Sequence, residues 1–245
     1  MKTVLITGAN KSIGFASAKI LANNGYHVYL GARDAAKGQE AVAKLQAEGL
    51  TNVEAIQIDV TDKASIEAAQ KSLAEKQASL DVLINNAGIL GGWEQSAQDV
   101  DTDMIREVFD TNFFGVINVT QAFLPLLKKS DAPVIVNVTS GLGSLTMHSD
   151  PDSKFYHVKT AAYGPSKTAL NAFTVVLAHE LRETNFKINA IDPGYTATDF
   201  NNNQGPFKVE DSAAFVVKYA MLDADGPTGK FFSHDVPENN NECPW

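Results

Sequence analysis

Short, almost uninterrupted apolar runs alternate along the chain with longer stretches whose apolar positions recur every three to four residues. The runs Thr3–Ile6, His27–Leu30, Val53–Ile58, Val82–Ile84, Val134–Val138, Lys187–Ile191 and Gly229–Phe232 are β-branched and too short for helices, which predicts strands. A run such as Val134–Val138 lacks polar–apolar alternation and suits a strand covered on both faces. The intervening spacing predicts helices near Ile13–Asn23, Ala35–Glu48, Asp62–Gln77, Asp103–Lys128, Ala162–Glu183 and Val209–Met221. Strands and helices taking turns predict an α/β fold, a doubly wound, mostly parallel sheet of the Rossmann type with helices on both faces. No repeat or Pro/Gly-rich linker divides the chain, so residues 1–245 are expected to form a single domain.

Three connections, Asn85–Thr102, Thr139–Ala161 and Asp192–Lys208, are longer than a scaffold needs. Each leaves the carboxyl end of a predicted strand, the edge at which open parallel sheets bind ligands. Composition narrows the ligand. With 20 Lys and Arg against 29 Asp and Glu, the net charge is −9, which argues against a nucleic-acid or membrane partner. The single cysteine, Cys243, excludes an intrachain disulfide and fits a cytoplasmic location. No apolar run has membrane-spanning length, and Met1–Asn10 reaches a Thr-Gly turn too early for a signal-peptide core. His27, His148, His157, His179 and His234 show no metal-ligand spacing, so no metal is expected.

The first predicted strand runs through Thr7, Gly8, Ala9, Asn10, Lys11, Ser12, Ile13 and Gly14 into a helix, a turn whose N–H groups can face a pyrophosphate. Ser12 stands where the middle glycine of such a turn is expected. Its Cβ would crowd the phosphates, while its hydroxyl could donate a hydrogen bond to them. Farther on come Asn85-Asn86-Ala87-Gly88, Ser140 ahead of Tyr163-Gly-Pro-Ser-Lys167, and Asp192-Pro193-Gly194. With these landmarks in order from Thr7 to Thr198, the chain resembles the short-chain dehydrogenase/reductase family, in particular its carbonyl reductases.

The resemblance implies that Gly8, Asn10, Lys11, Ser12, Ile13 and Gly14 cradle the cofactor's phosphates. Asp59 and Val60 would bracket adenine, and Asn86, Ala87 and Gly88 would pass under the adenosine ribose. Pro193, Gly194, Thr196 and Thr198 would close over the nicotinamide, whose B face the family uses. Asn112 is similar to the family's helix-kinking Asn, which anchors a water beside the lysine. The catalytic set is then Asn112, Ser140, Tyr163 and Lys167. Tyr163 and Lys167 lie four apart on one helix face. The Lys167 ammonium is expected to pull the phenol below its ordinary value of about 10, so that Tyr163 serves as general acid in reduction or base in oxidation. Lys167 would also grip the nicotinamide ribose. Ser140 would hydrogen-bond the substrate oxygen as charge develops on it.

Cofactor choice turns on Leu30-Gly31-Ala32-Arg33-Asp34. Where NAD-preferring relatives place an acid, this chain has Ala32, followed by Arg33; Asp34 reads as the next helix's N-cap. Arg33 and Lys11 together favour NADP(H) over NAD(H), two cations holding a 2′-phosphate. The segment between Ser140 and Tyr163 is longer than in most compact relatives. That leaves the expected homo-oligomer, dimer or tetramer, open to replacement by a monomer. Leu142, Leu145, Met147 and Phe155 in it, with Trp93, Tyr195 and Phe200, are candidate walls of a substrate pocket. No charged anchor stands among them, which favours a neutral ketone or aldehyde. NADPH-dependent carbonyl reduction is the leading expectation. The alternatives are reduction of 3-oxoacyl thioesters, alcohol oxidation with NAD, and a non-catalytic NADP(H)-binding regulator. Trp245 is expected to dock on its own subunit or on a partner.

Overall fold

A computed structural model describes residues 1–245. Seven strands, β1 (Thr3–Ile6), β2 (His27–Ala32), β3 (Val53–Gln57), β4 (Val82–Asn85), β5 (Val134–Val138), β6 (Lys187–Asp192) and β7 (Phe231–Ser233), form one sheet in the order β3-β2-β1-β4-β5-β6-β7. Every pairing is parallel. The order reverses between β1 and β4, so a crevice opens at their carboxyl ends.

The uninterrupted apolar runs have a direct cause. Val4, Ile6, Val82, Ile84, Val134 and Val136 pack toward α1 (Ser12–Asn23), α2 (Ala35–Ala47) and α8 (Val209–Ala220). Their neighbours Leu5, Leu83 and Ile135 pack toward α3 (Lys63–Lys76), α5 (Gly115–Leu127) and α7 (Tyr163–Glu180). Successive side chains point to opposite faces, and both faces are covered.

Three stretches differ in kind from the sequence expectation. The predicted helix Asp103–Lys128 is broken into α4 (Thr102–Phe109), a π-helical turn (Asp110–Phe114) and α5. At the break Gly115 presses on Val60; a Cβ there would meet Val60 Cγ2 at 2.9 Å. The connection after β5 contains a 3₁₀ turn (Gly141–Gly143) and a short helix, α6 (Leu145–Ser149). β7 begins at Phe231, not Gly229, because Gly229 turns through φ +69° before the strand. The chain's last residues then fold back along β7. Cys243 N–H donates to Phe231 O (2.9 Å), Ser144 Oγ donates to Pro244 O (2.7 Å), and Thr146 N–H donates to Trp245 O (3.1 Å). The Trp245 ring stacks on Phe231 at 5.7 Å. Trp245 therefore docks on its own subunit.

Candidate active site

The Gly-rich turn is laced to the β4 exit. Thr7 Oγ1 accepts from Asn86 N–H (3.0 Å) and Ala87 N–H (3.1 Å), while Asn86 Nδ2 donates to Thr7 O (2.9 Å) and Gly8 O (3.0 Å). Gly14 makes this closeness possible, since a Cβ there would lie 2.6 Å from Asn86 Nδ2 and 2.7 Å from Gly8 O. Ser12 adopts φ +52°, the left-handed backbone of the glycine it replaces.

The helices α2, α3 and α4 are each capped by an aspartate, Asp34, Asp62 and Asp101, that accepts from a first-turn N–H. α1 has no side-chain cap. Its opening amides, beside glycines that leave no side chain in the way, fit a pyrophosphate. Asp59 Oδ1 accepts from Thr61 N–H (2.9 Å) and Thr61 Oγ1 (2.7 Å), which fixes the loop after β3, with Val60 buried next to it. Ala32 is buried and Arg33 exposed at the β2 exit. Lys11 lies 3.4 Å from Asp199.

At the other end of the cleft, Lys167 is buried, and its Nζ donates to Val138 O (2.9 Å) and stands 5.7 Å from the Tyr163 ring centroid. Asn112 is fully buried in the π turn. Its Oδ1 accepts from Ile89 N–H (2.8 Å), and its Nδ2 donates to Ile89 O (2.9 Å) and Ser166 Oγ (3.1 Å). A Cβ on Gly88 would come 3.3 Å from Asn112 Oδ1 and 3.6 Å from Lys167 Nζ, so these three residues meet at one point. Ser140 Oγ accepts from Leu142 N–H (3.2 Å) and also hydrogen-bonds the Tyr163 side chain.

The electrostatics depart from the expectation that Lys167 lowers the Tyr163 pKa. Burial pushes the phenol well above its ordinary value, the nearby Asp192 charge adds to that, and only the Ser140 hydrogen bond opposes it. Burial likewise lowers Lys167 to about 8, against support from Asp192. Asp192, at the end of β6, is raised to about 6 by burial, while the bond from Ser233 Oγ (2.6 Å) pulls it down. Sequence reading overlooked this carboxyl because it sits inside a Pro-Gly turn motif where only the turn drew attention.

The candidate pocket residues divide. Phe200 meets the Tyr163 ring edge-on at 5.6 Å and so walls the site. Tyr195 stands exposed on the rim, its hydroxyl donating to Gln204 Oε1 (3.1 Å). Trp93 lines a cavity of about 750 Å³ with Gln95, Met104, Lys159 and Ala161. Phe155 is instead buried over Gly141, where a Cβ would meet its Cζ at 2.3 Å. Met147 packs against Phe231 and Cys243. Leu142 and Leu145 line a separate groove of about 430 Å³ with Pro165, Ala169 and Ala172, on the side of α7 turned away from Tyr163. Thr196 is buried, its hydroxyl shared with Gly194 O (2.9 Å) and Ser212 Oγ (2.6 Å). Thr198 N–H donates to Asn201 Oδ1 (3.2 Å) at the head of the turn Asp199–Asn201.

No group of three or more His, Cys, Asp or Glu side chains converges as a metal site, and no helix is long and apolar enough to cross a membrane.

A doubly wound sheet with a glycine turn at its switch point and a Tyr–Lys pair beside it defines a dinucleotide-dependent oxidoreductase. Residues 2–208 match the family model described as short chain dehydrogenase, and the chain belongs to that family. It is 32% identical to (+)-neomenthol dehydrogenase of Capsicum annuum, over 93% of this chain and 94% of that protein. Among solved structures it is similar to salutaridine reductase from Papaver somniferum (31% identity, TM-score 0.83, covering 96% of this chain and 100% of that one). It is also similar to an NADPH-bound carbonyl reductase from chicken fatty liver (28% identity, TM-score 0.85, covering 100% and 99%). The chain is thus an oxidoreductase acting on CH–OH or C=O groups.

Proposed function

We propose that the protein is an NADP(H)-preferring carbonyl reductase that converts a neutral, largely apolar ketone or aldehyde to the alcohol. The observation that carries this reading is the meeting of Ser140, Tyr163, Lys167 and Asn112 at one end of the cleft whose other end is the open amide turn of α1. NADP(H) is favoured by Arg33 and Lys11 and by the absence of an acid at Ala32. The NADPH carried by the chicken carbonyl reductase agrees with that choice.

The nicotinamide, when bound, would supply the hydride. Ser140 holds the substrate oxygen by a hydrogen bond, and Tyr163 delivers its proton to that oxygen. A phenol kept protonated by burial has a proton to give, which suits the reductive direction. Lys167, lowered to about 8, exchanges protons near neutral pH and can recharge Tyr163. The Asn112 side-chain amide is engaged on both its atoms, with Ile89 and Ser166, which fixes the π turn beside Lys167. Thr196 and the Pro193–Gly194 turn would hold the carboxamide end.

The lone buried Cys243 suits a reducing cytoplasm. The outer face of α7 exposes Val175 and Val176, which suits pairing with a second copy. The test is a panel of ketones and aldehydes incubated with NADPH and with NADH, with Tyr163→Phe as control. Turnover preferring NADPH and lost in the variant is the expected result. Cofactor binding without turnover on any carbonyl would overturn the reading.

A further inference from the structure

The helix carrying Tyr163 and Lys167 begins without a cap of its own, since Ala162 has no side chain that can accept a hydrogen bond. Its opening donors are nevertheless all accounted for. Gln95 Oε1 accepts from both Ala162 N–H (3.1 Å) and Tyr163 N–H (2.9 Å), Thr160 Oγ1 accepts from Gly164 N–H (2.8 Å), and Pro165 has no N–H. Gln95 lies 68 positions before Tyr163, in the long connection after β4. It is buried, and Ala161 N–H donates to its main-chain oxygen as well (3.0 Å). Its Nε2 donates to Leu90 O (2.7 Å) and Gly92 O (2.7 Å), so both hydrogens and the oxygen of the amide are used. A buried amide with every partner in place fixes one geometry, because each lost bond strands a group away from water.

The carbonyls that Gln95 holds flank Gly91, where the chain turns through φ +84° against Val108. One residue before them, Ile89 is gripped at both N–H and C=O by Asn112. Asn112 then reaches Ser166 Oγ, and that hydroxyl donates to Tyr163 O (2.7 Å). The circuit closes on itself: Tyr163 is tied at its N–H by Gln95 and at its C=O by Ser166, and both ties lead back to the segment Ile89–Gly92.

We infer that Gln95 is a positioning residue for the general acid, joining the loop after β4 that bears Trp93 to the main chain of Tyr163 through one saturated amide. This rests on the reading of Tyr163 as the proton donor. Ordering of the Ile89–Gln95 loop by a substrate then acts directly on the aim of the phenol, and a loosened loop loses turnover before it loses cofactor.

The experiment compares wild type, Gln95→Met and Gln95→Glu for carbonyl reduction, NADPH binding by fluorescence, and amide hydrogen exchange at Ala162 and Tyr163. Gln95→Met is expected to lower kcat by roughly ten- to a hundredfold, the scale of a displaced catalytic group, with NADPH affinity and KM within about twofold. Exchange at the two amides is expected to accelerate. Gln95→Glu keeps the acceptor for both amides but sets a carboxylate oxygen against Leu90 O and Gly92 O. Its kcat should therefore recover relative to wild type as pH falls and the carboxyl becomes a donor, a pH profile that a merely structural role would not produce. Wild-type kcat in Gln95→Met, or a fall in NADPH affinity parallel to kcat, would overturn the inference. Failure of wild type on every carbonyl would instead sink the reductase reading. In that case exchange decides for Gln95, unchanged protection at Ala162 and Tyr163 counting against it.

Discussion

Lys11 and Asp199, 188 positions apart, face each other at 3.4 Å, so the phosphate turn and the segment after Thr198 touch across the mouth of the cofactor cleft. Both side chains are about two-thirds exposed (64% and 66%), which makes the pair weak and replaceable. A 2′-phosphate reaching Lys11 competes with Asp199 for it. Asp199→Asn is therefore expected to tighten NADPH by a few-fold at most, about the worth of an exposed pair, and to leave NADH unchanged. Arg33→Ala should weaken NADPH by at least about tenfold, the range of a charge-assisted bond to an anion, and spare NADH. Fluorescence titration of both cofactors at two salt concentrations checks these outcomes.

Buried Asp192 and Lys167 give opposite signs in the dependence of stability on pH. Asp192 rises from 3.8 to about 6 on folding. The stability this brings is complete below pH 3.8 and is lost as pH climbs through 6. Lys167 falls from 10.5 to about 8, so its contribution is complete above 10.5 and is lost as pH drops through 8. Between 6 and 8 both carry charge. Asp192→Asn removes the first loss, so the variant is expected to gain on wild type between pH 4 and 6, by an amount on the order of 2–3 kcal/mol. Melting temperatures of the two proteins measured from pH 4 to 9 give the comparison. A difference independent of pH would refute it.

Two substitutions in the phosphate turn should act in opposite directions. Gly14→Ala places a methyl against Gly8 O and Asn86, and is expected to cost about 1–3 kcal/mol of stability and abolish cofactor binding. Ser12→Gly relieves a left-handed serine and should raise stability by up to about 1 kcal/mol, less the chain entropy of the new glycine. Thermal unfolding and NADPH titration of the pair are the checks.

The sheet and the closeness of Tyr163 to Lys167 were open to sequence reading because their signals are local. Strands buried on both faces cannot hide their apolar runs, and Tyr163 and Lys167 fall at helical spacing. What escaped reading depends on distant contact. The π turn at Asn112 has no period of its own within a stretch patterned like one helix, so only the family resemblance pointed to a kink there. Gln95 looks like any solvated loop glutamine until the uncapped start of α7 is set beside it. Apolarity alone points Phe155 and Met147 to a pocket wall, whereas Gly141 and the returning tail give them closer partners.

Removing residues 243–245 should strip Ser144 and Thr146 of their partners and uncover Phe231. Stability is expected to fall by about 1–3 kcal/mol, two hydrogen bonds and part of an aromatic face. NADPH affinity should hold, because no tail contact reaches the phosphate turn. Denaturant unfolding and cofactor titration of the shortened chain give both numbers.

The same docking makes the one thiol a reporter. Cys243 is buried beside Ala190 and Phe231 and pushed up to about 12 by that burial. Thiols react as thiolates, and at neutral pH a group held there is ionised only about once in 10⁵ molecules. In the docked state the sulfur is chemically silent, and it becomes ordinary only when the segment lifts from Phe231. The pace at which a soluble maleimide labels the native protein therefore counts those liftings, so the molecule carries a built-in clock for the breathing of its own last strand edge.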